Sequence, residues 1–332
     1  YKVASKTTNT FELQDVDGSN VDTSGYSTYS SAGTANKIYQ ITTSYTTAQL
    51  ENLKFAQSAD TMYICHSSHE VSKLTRTGHT SWSLSEITFT DGPYLAENTT
   101  SVTMTPGATT GNNQDLTASS STFASTDVGR LINFSGGYAE IITYTSGTAV
   151  KIDIKSDFDD TSAVTAWKLG AFSDTTGHPS CVSFFEQRLV FAATTDEPQT
   201  IYFSKSGDYE NFTAGTDAAD AMIYTIASNE VNKIQYLSAV RTLIVGTTAS
   251  EWTVSADGTD AVVTPTNVTI KRQSTFGSAN QDAIAAGTAV LFLQRAKRKI
   301  RELAYNFDVD GYTAPDLTIL NESITNTGID QI

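Results

Sequence analysis

Few residues of this chain are suited to chemistry, and its four histidines are the first to consider. They are His66, His69, His79 and His178. His66 and His69, with His79 behind them, would ligate zinc only if their rings converged, and an i, i+3 spacing in a hairpin connection does not force this. No nearby cysteine or glutamate completes a convincing set. We expect polar loop residues there, a structural His178 before Pro179, and no metal or cofactor.

Nucleophilic catalysis finds no clear sequence signal either. A strained Gly-x-Ser-x-Gly elbow would mark a catalytic serine, and the chain has none. Cys65 stands beside His66, but adjacent residues of a strand point to opposite faces, so the two side chains diverge. A Ser-His-Asp triad is recognised by geometry rather than by order, which leaves that reading open. We expect a protein that is not an enzyme.

Carboxylates occur in close groups that a glycosidase or a calcium site would use. Several of them stand beside glycine, where Asp-x-Asp-Gly suits a tight hairpin turn because Asp and Gly tolerate positive φ. The run from Asp15 to Asn20 is similar to a calcium loop but lacks the downstream glutamate. We expect turns. The groups are Asp15 and Asp17; Asp157, Asp159 and Asp160; and Asp308 and Asp310.

One basic cluster stands out in an acidic chain. Five of the 21 basic residues lie within seven positions, and they are Arg295, Lys297, Arg298, Lys299 and Arg301. They form either a solvated hairpin tip or a docking patch, for an acidic face of the next subunit or for DNA held in a channel. Subunit contact is the better functional reading, because acidic protomers need local compensation to approach each other.

Composition limits the class of protein. The chain has 332 residues, 39% hydrophobic, 10% aromatic and 17% charged. It is too aromatic for a disordered chain and does not have the composition of a helical bundle. No apolar run approaches the roughly 20 residues that cross a bilayer. The net charge of −15 repels phosphate, so a dedicated nucleic-acid binder is disfavoured, although DNA passing through a lumen is compatible with it.

Two cysteines, Cys65 and Cys181, predict buried free thiols in a reducing cytosol. The chain starts at Tyr1 within a strand-like run and stops abruptly at Ile332, so we expect an interior fragment of a longer protein.

Helical periodicity appears once, over Thr46–Ala56, and Thr46 or Ser44 could cap this helix. Elsewhere, short β-branched and aromatic runs between turn residues predict strands.

A fourfold repeat of two apolar strands, each pair joined by a connection, predicts the architecture. The starts at 189, 243 and 290 are 54 and 47 positions apart, and the start at 62 lies 127 before 189. Residues 95–172 account for 78 of those 127, and the remaining 49 match the roughly 40–50 residues of a propeller blade. The strand pairs are Met62–Cys65 and Val71–Leu74, Leu189–Ala192 and Ile201–Ser204, Leu243–Gly246 and Glu251–Val254, and Val290–Leu293 and Lys299–Leu303.

The predicted fold class is all-β, with β-propeller-like repeated antiparallel sheets and an inserted small β-barrel or sandwich domain; an array of β-sandwiches is the competing reading. Continuous apolar runs such as Leu243–Val245 should form inner strands, and mixed runs such as Glu251–Val254 outer strands with a wet face. The predicted domains are a small β module at 1–45, a blade region with one short helix at 46–94, the insertion at 95–172, and further blades at 173–332.

The order of these segments resembles the tail nozzle proteins (tail tubular protein B or hub-like) of short-tailed bacteriophages, over about two-thirds of the chain, residues 46–94 and 173–325. No single motif would identify this family, and the specificity lies in the order and combination of the motifs. Tyr1–Gly33 also resembles small β-barrel modules of phage proteins. The residues that carry the likeness are Ala48–Ile64, Lys73–Arg76 with Trp82, Gly177–Pro179 with Phe185–Leu189, Ile201–Ser204, and Lys299–Tyr305 with Asp310–Tyr312.

The resemblance implies a mechanical role in the virion tail, after assembly in the host cytoplasm. Copies of such proteins form a homo-oligomeric ring, commonly sixfold, below the connector and adaptor proteins and beside the tail fibres. They line the distal channel, retain double-stranded DNA and release it at ejection. The family's propeller usually has more blades than the four counted here, so blades lie outside this chain or the ring is not closed. The rivals are a host-receptor or glycan-binding tail protein and a polysaccharide depolymerase.

Overall fold

The computed structural model describes residues 1–15, 17–28, 39–228, 232–258, 261–330 and 332. The chain divides into two compact units, Tyr1–Gln40 and Ile41–Ile332. Both are built from antiparallel strands, and short 3-10 helices are the only helices among the described residues. The predicted all-β class with repeated antiparallel sheets is therefore confirmed.

The first unit contains one two-stranded sheet. Strand β1 (Lys2–Ala4) pairs with β2 (Glu12–Gln14). The aspartates that follow β2 form the expected turn: the Gly18 amide donates to the Asp15 carbonyl at 3.0 Å, and Gly18 has a φ of +93°. Of the predicted module 1–45, residue 16 and residues 29–38 lie outside the described residues.

Four four-stranded sheets, each an up-and-down meander in chain order, form the body of the second unit. The first sheet has β3 (Lys54–Ser58), β4 (Thr61–His66), β5 (His69–Gly78) and β6 (Ser81–Glu86). The second has β13 (Cys181–Phe185), β14 (Arg188–Ala192), β15 (Thr200–Phe203) and β16 (Met222–Thr225). The third has β17 (Ile234–Ala239), β18 (Leu243–Thr247), β19 (Glu251–Ser255) and β20 (Thr269–Ser274). The fourth has β21 (Ile284–Ala286), β22 (Ala289–Leu293), β23 (Ile300–Asn306) and β24 (Gly311–Thr313).

The sheets pack face to face through apolar side chains. Strand β14 is buried along its whole length, and its alternate residues enter two different clusters: Leu189 faces the first sheet and Val190 faces the third. The first strands β3, β13 and β17 lie beside one another. Representative members of the three successive interfaces are Tyr63 and Leu189, Phe203 and Leu243, and Ile244 and Phe292.

The segment just before the fourth sheet contacts the start of the first sheet through polar groups. Lys54 Nζ, in a residue that is almost fully buried, lies 2.9 Å from Asp282 Oδ1. Asn280 donates a hydrogen bond to Asn52 at 3.0 Å. None of the apolar clusters among the described residues contains members of both sheets. The four sheets thus pack in chain order in a propeller-like arrangement, and the contacts found between its first and last parts are polar.

The prediction that the mixed run Glu251–Val254 forms an outer strand with a wet face is wrong. Strand β19 is paired on both sides, by β18 and β20, and Glu251 is 0% exposed. The Ser278 hydroxyl donates to the Glu251 carboxylate at 2.8 Å, and the Ser274 hydroxyl also donates to it. A mixed sequence can lie inside because its polar groups find partners there.

The single predicted helix is also only partly right. A 3-10 helix spans Thr47–Asn52, and the rest of the predicted segment is strand β3. The Thr46 amide donates to the Gln49 side chain at 2.9 Å, so the expected start is correct. Pairing with β4 outweighs helix propensity in the second half, because it buries Lys54 and Ala56. No helix of the described part of the chain has the length and apolarity needed to span a membrane.

The insertion between the first and second sheets is a six-stranded antiparallel sheet with the spatial order β12-β9-β10-β11-β8-β7. A bridge between Met104 and Val164 joins its two edges and curls it around its own core, which includes Leu116, Ile132 and Ile152. Its strands are β7 (Met104–Pro106), β8 (Gln114–Ala118), β9 (Leu131–Phe134), β10 (Gly137–Ser146), β11 (Ala149–Ser156) and β12 (Trp167–Leu169).

The insertion is entered and left through a neck of two antiparallel segments. Leu95 donates to the Leu169 carbonyl at 2.9 Å, and Ala171 donates to the Pro93 carbonyl at 2.8 Å. A buried ion pair lies near the neck, with Arg130 Nη1 2.8 Å from Asp127 Oδ1. Arg130 Nε donates to the Gly170 carbonyl at 2.8 Å, so the pair ties the insertion to its own exit strand.

Candidate functional site

The basic hairpin, defined as residues 294–299, connects β22 to β23 in the fourth sheet. A hydrogen bond from the Lys297 amide to the Gln294 carbonyl, 2.7 Å long, closes it, and Lys297 adopts a φ of +57°. Arg295, Lys297 and Arg298 are exposed at its tip. None of these three forms an ion pair with a described carboxylate, so their charges are available to another molecule.

The other two residues of the predicted basic cluster serve their own sheet. Lys299 Nζ lies 2.8 Å from Asp316, and this hydrogen bond is the main cause that lowers the pKa of Asp316 to about 2. Arg301 donates to the Ala314 carbonyl at 2.7 Å, and its guanidinium lies 3.4 Å from the centre of the Phe276 ring. The structure therefore places three of the five at the tip, and their contact role stays a prediction.

An apolar ledge, defined as Leu317, Ile319 and Leu320, adjoins the basic hairpin. The exposed fractions of these side chains are 47%, 66% and 96%. The Leu317 amide donates to the Ile300 carbonyl at 2.9 Å, which fixes the start of the ledge beside β23. Further along the same segment, Arg298 donates to the Asn326 side chain. Exposed apolar and basic side chains thus share one end of the fourth sheet.

The acidic cleft lies between the first sheet and the insertion and has a volume of about 230 Å³. Its walls are partly apolar, with Phe89 and Phe172 stacked edge to face at 5.5 Å between ring centres, and with Val128 from the insertion. Three carboxyl groups line it: Glu70 at the start of β5, Glu86 at the end of β6, and Glu140 in β10.

The charges of the acidic cleft are not balanced. Burial raises the pKa of Glu70 first, and the nearby carboxylates of Glu86, Asp174 and Glu140 raise it further, with a hydrogen bond to Glu86. Glu140 has a partner, because Lys155 Nζ lies 2.8 Å from it, and that bond raises the pKa of Lys155. Glu70 and Glu86 form no ion pair with a described cation. The cleft therefore favours a ligand that carries positive charge.

The sequence alone did not predict the acidic cleft. Positions 70, 86 and 140 lie on three different strands, and the insertion brings the last of them to the first two. The Ser72–Glu86 register places Glu70 one diagonal step from Glu86. Period-2 alternation in β5 and β6 could have paired these two, but nothing local points to Glu140.

His66 and His69 stand at the two ends of the predicted hairpin connection, and His79 lies in the turn between β5 and β6. The departure from the expected polar loop is that His66 is buried. His66 ends β4 and His69 begins β5, because their turn contains only two residues. Their ring centres are 5.2 Å apart, and burial together with His69 lowers the pKa of His66. Among the described residues no group of three potential ligands could hold a metal ion. His178 Nε2 lies 3.0 Å from Asp174 Oδ1.

The remaining candidate groups have structural positions. Cys65 and Cys181 are free and buried, and burial raises both thiol pKa values, that of Cys181 to about 11. Asp308 lies in a 3-10 turn between β23 and β24, and Asp310 closes that turn with a φ of +47°. The Asp308–Asp310 group is thus a turn, as its position before Gly311 predicts.

Comparisons with known proteins do not show the family of this chain. No family model matches the chain, and no curated protein matches it. Among solved structures, the phage phi92 endosialidase aligns at 12% identity with a TM-score of 0.25, covering 78% of this chain. The chain spans 42% of the length of that protein. A TM-score this low carries no argument about fold, substrate or activity.

Proposed function

We propose that this chain is a non-enzymatic structural component of a bacteriophage tail, of the nozzle or hub type. Copies of it would surround the distal DNA channel as a ring, commonly sixfold in the family it resembles, retain the genome and release it at ejection. The proposal includes contacts with adaptor and connector proteins and with tail fibres, and a location in the virion tail after assembly in the host cytoplasm.

The observation that carries the proposal is the succession of apolar sheet interfaces. Each of the first three junctions buries side chains such as Leu189, Leu243 and Phe292 at 0% exposure. Close-packed protein interiors resist compression and transmit strain. A body of this kind is suited to a wall that holds pressurised DNA, and it does not require moving catalytic loops.

The charge distribution supports the same function. A formal net charge of −15 gives a surface that repels the phosphate backbone, so DNA can slide past it without being trapped. The exposed charges of Arg295, Lys297 and Arg298 are then better suited to a protein neighbour than to DNA, because like acidic subunits need a local attraction to approach each other.

The test is the state of the purified chain, measured by light scattering at rising concentration and by electron microscopy of any particle. The expected result is a closed assembly with a central hole. A chain that remains monomeric at all concentrations, alone and with purified phage connector and adaptor proteins, would refute the structural ring function.

A second function has one observation in its favour. The acidic cleft combines the aromatic walls Phe89 and Phe172 with three carboxyl groups, and glycosidases use a pair of carboxyl groups across a sugar-binding cleft. A host-receptor or glycan-binding tail protein, or a polysaccharide depolymerase, would use it. Incubation of the chain with host capsule, followed by reducing-sugar measurement and cell adsorption, decides this. Sugar release that Glu70→Gln abolishes would favour the depolymerase, and its absence favours the structural function.

A further inference from the structure

We propose that the basic hairpin and apolar ledge of one copy dock into the acidic cleft of a second copy of this chain. The inference rests on the proposed function and deepens it, because it names the two surfaces through which copies would join. It gives a partner to two features that face solvent in the single chain.

The projecting side combines charge with apolar area. Arg295, Lys297 and Arg298 carry three positive charges, and Ile319 and Leu320 beside them are 66% and 96% exposed. Exposed apolar side chains that are neighbours form a surface that a partner can cover. A partner complementary to this end of the fourth sheet would offer both an apolar pocket and carboxylates.

The receiving side has these two properties. The acidic cleft encloses about 230 Å³, which is enough space for a leucine or isoleucine side chain, between apolar walls. Val128 is 46% exposed there, and Glu86 is exposed at the end of β6. Glu70 and Glu86, which form no ion pair with a described cation, gain one when a cation enters, whereas a neutral or acidic partner leaves their repulsion in place.

The two surfaces do not satisfy each other within one copy. Among the described residues, no ion pair joins the basic hairpin to the acidic cleft, and the cation that enters the cleft in the single chain is Lys155. A contact between two different surfaces of identical chains is called heterologous. It produces a closed ring when the rotation from each copy to the next adds up to a full turn. Charge complementarity at this contact offsets the general repulsion between chains of net charge −15.

A charge exchange tests the contact. The first variant carries Lys297→Glu and Arg298→Glu, and the second carries Glu70→Lys and Glu86→Lys. Each alone should assemble about tenfold more weakly or worse, since two charge-assisted contacts are reversed. An equimolar mixture of the two should regain assembly. In the mixture, the acidic hairpin of the first variant faces the basic cleft of the second variant. The unaltered basic hairpin of the second variant faces the unaltered acidic cleft of the first.

The matched control is the double reversal Lys271→Glu with Arg272→Glu, on the exposed edge strand β20. It makes the same change in net charge as the first variant and should leave assembly close to that of the wild type. Assembly that survives in both test variants, or a mixture that does no better than either variant alone, overturns the contact and leaves the ring function standing. A wild-type chain that never assembles refutes the ring function itself.

A cysteine pair provides a second measurement, which does not depend on charge reversal. Leu320→Cys with Val128→Cys, under mild oxidation, should give a ladder of cross-linked oligomers. Cys65 and Cys181 are buried, so the two new thiols are the accessible ones. Leu320→Cys paired with the exposed Val262→Cys is the control and should give no ladder beyond dimers. The same pattern from both pairs, or no ladder from the first, contradicts the contact.

Discussion

The junction between the third and fourth sheets can be tested at a single glycine. Gly246 in β18 lies directly across from Tyr236 in β17. A methyl group added at Gly246 would overlap Cε1 and Cζ of the Tyr236 ring and would lie 2.6 Å from its Cδ1. Tyr236 is 1% exposed and packs against Phe292 of the fourth sheet at 6.3 Å between ring centres. The ring therefore has little space into which it could move.

The expected cost of Gly246→Ala follows from two opposing effects. Overpacking a close-packed core typically costs about 1–3 kcal/mol. Replacing glycine by alanine inside a strand returns about 0.5–1 kcal/mol, because glycine loses more conformational freedom on folding. The packing effect is the larger one, so we expect a net loss of about 1–2 kcal/mol in the free energy of unfolding, measured by urea denaturation.

The matched control is Gly78→Ala at the end of β5. Its new methyl group would meet only Ser81 Cβ, at the ordinary contact distance of 3.7 Å, so stability should be unchanged or slightly increased. The double variant Gly246→Ala with Tyr236→Leu should lose less stability than the two single losses added, because the smaller side chain removes the overlap. A Gly246→Ala protein as stable as the wild type would show that Tyr236 does not cover Gly246.

Three further predictions concern buried groups. Burial raises the pKa of Glu251 above its unfolded value, so its stabilising contribution is present below the unfolded pKa and is lost as the pH rises through the folded pKa. In Glu251→Gln this loss of stability with rising pH should be smaller, by about 1.4 kcal/mol for each unit of pKa shift. Urea unfolding at a series of pH values measures it. Asp127→Ala leaves buried Arg130 without its carboxylate and should lower the free energy of unfolding by about 3–5 kcal/mol. The control Asp115→Ala breaks the exposed pair with Lys151 and should lower it by less than about 1 kcal/mol. Equal losses of stability in the two variants would contradict the buried pair. Thiol titration should find Cys65 and Cys181 unreactive in the folded protein and both reactive in urea, and rapid labelling of either in the native state would place it at the surface.

The interior strands of each sheet could be predicted from the sequence, and the edge strands could not. The four predicted strand pairs fall on β4 and β5, β14 and β15, β18 and β19, and β22 and β23, which are the two central strands of each sheet. Central strands have neighbours on both sides and are covered on both faces, so apolar runs such as Leu243–Val245 mark them. The edge strand β6, exposed at five of its six positions, has no such run. The edge strands β13 and β17 are largely buried, so burial alone does not separate edge from central strands.

The candidate surfaces could be predicted only where they are local in sequence. The basic cluster at 295–301 was visible as charge density, but its division was not, since the partners of Lys299 and Arg301 include Asp316 and Phe276 from other segments. The acidic cleft depends entirely on tertiary structure, because it needs the insertion to approach the first sheet. A local pattern can report a concentration of charge but not what folds against it.

The paired neck of the insertion has a consequence for how this chain can be altered. Because Leu95 and Ala171 are hydrogen-bonded to the opposite segment at 2.9 and 2.8 Å, the two ends of the insertion leave the four-sheet body side by side. The chain that forms the four sheets therefore leaves and re-enters their body at neighbouring points, whatever sequence lies between these two ends. Natural recombination, or a protein engineer, could exchange this module for another of similar end spacing, and the protein would acquire a new surface while the four sheets kept their order.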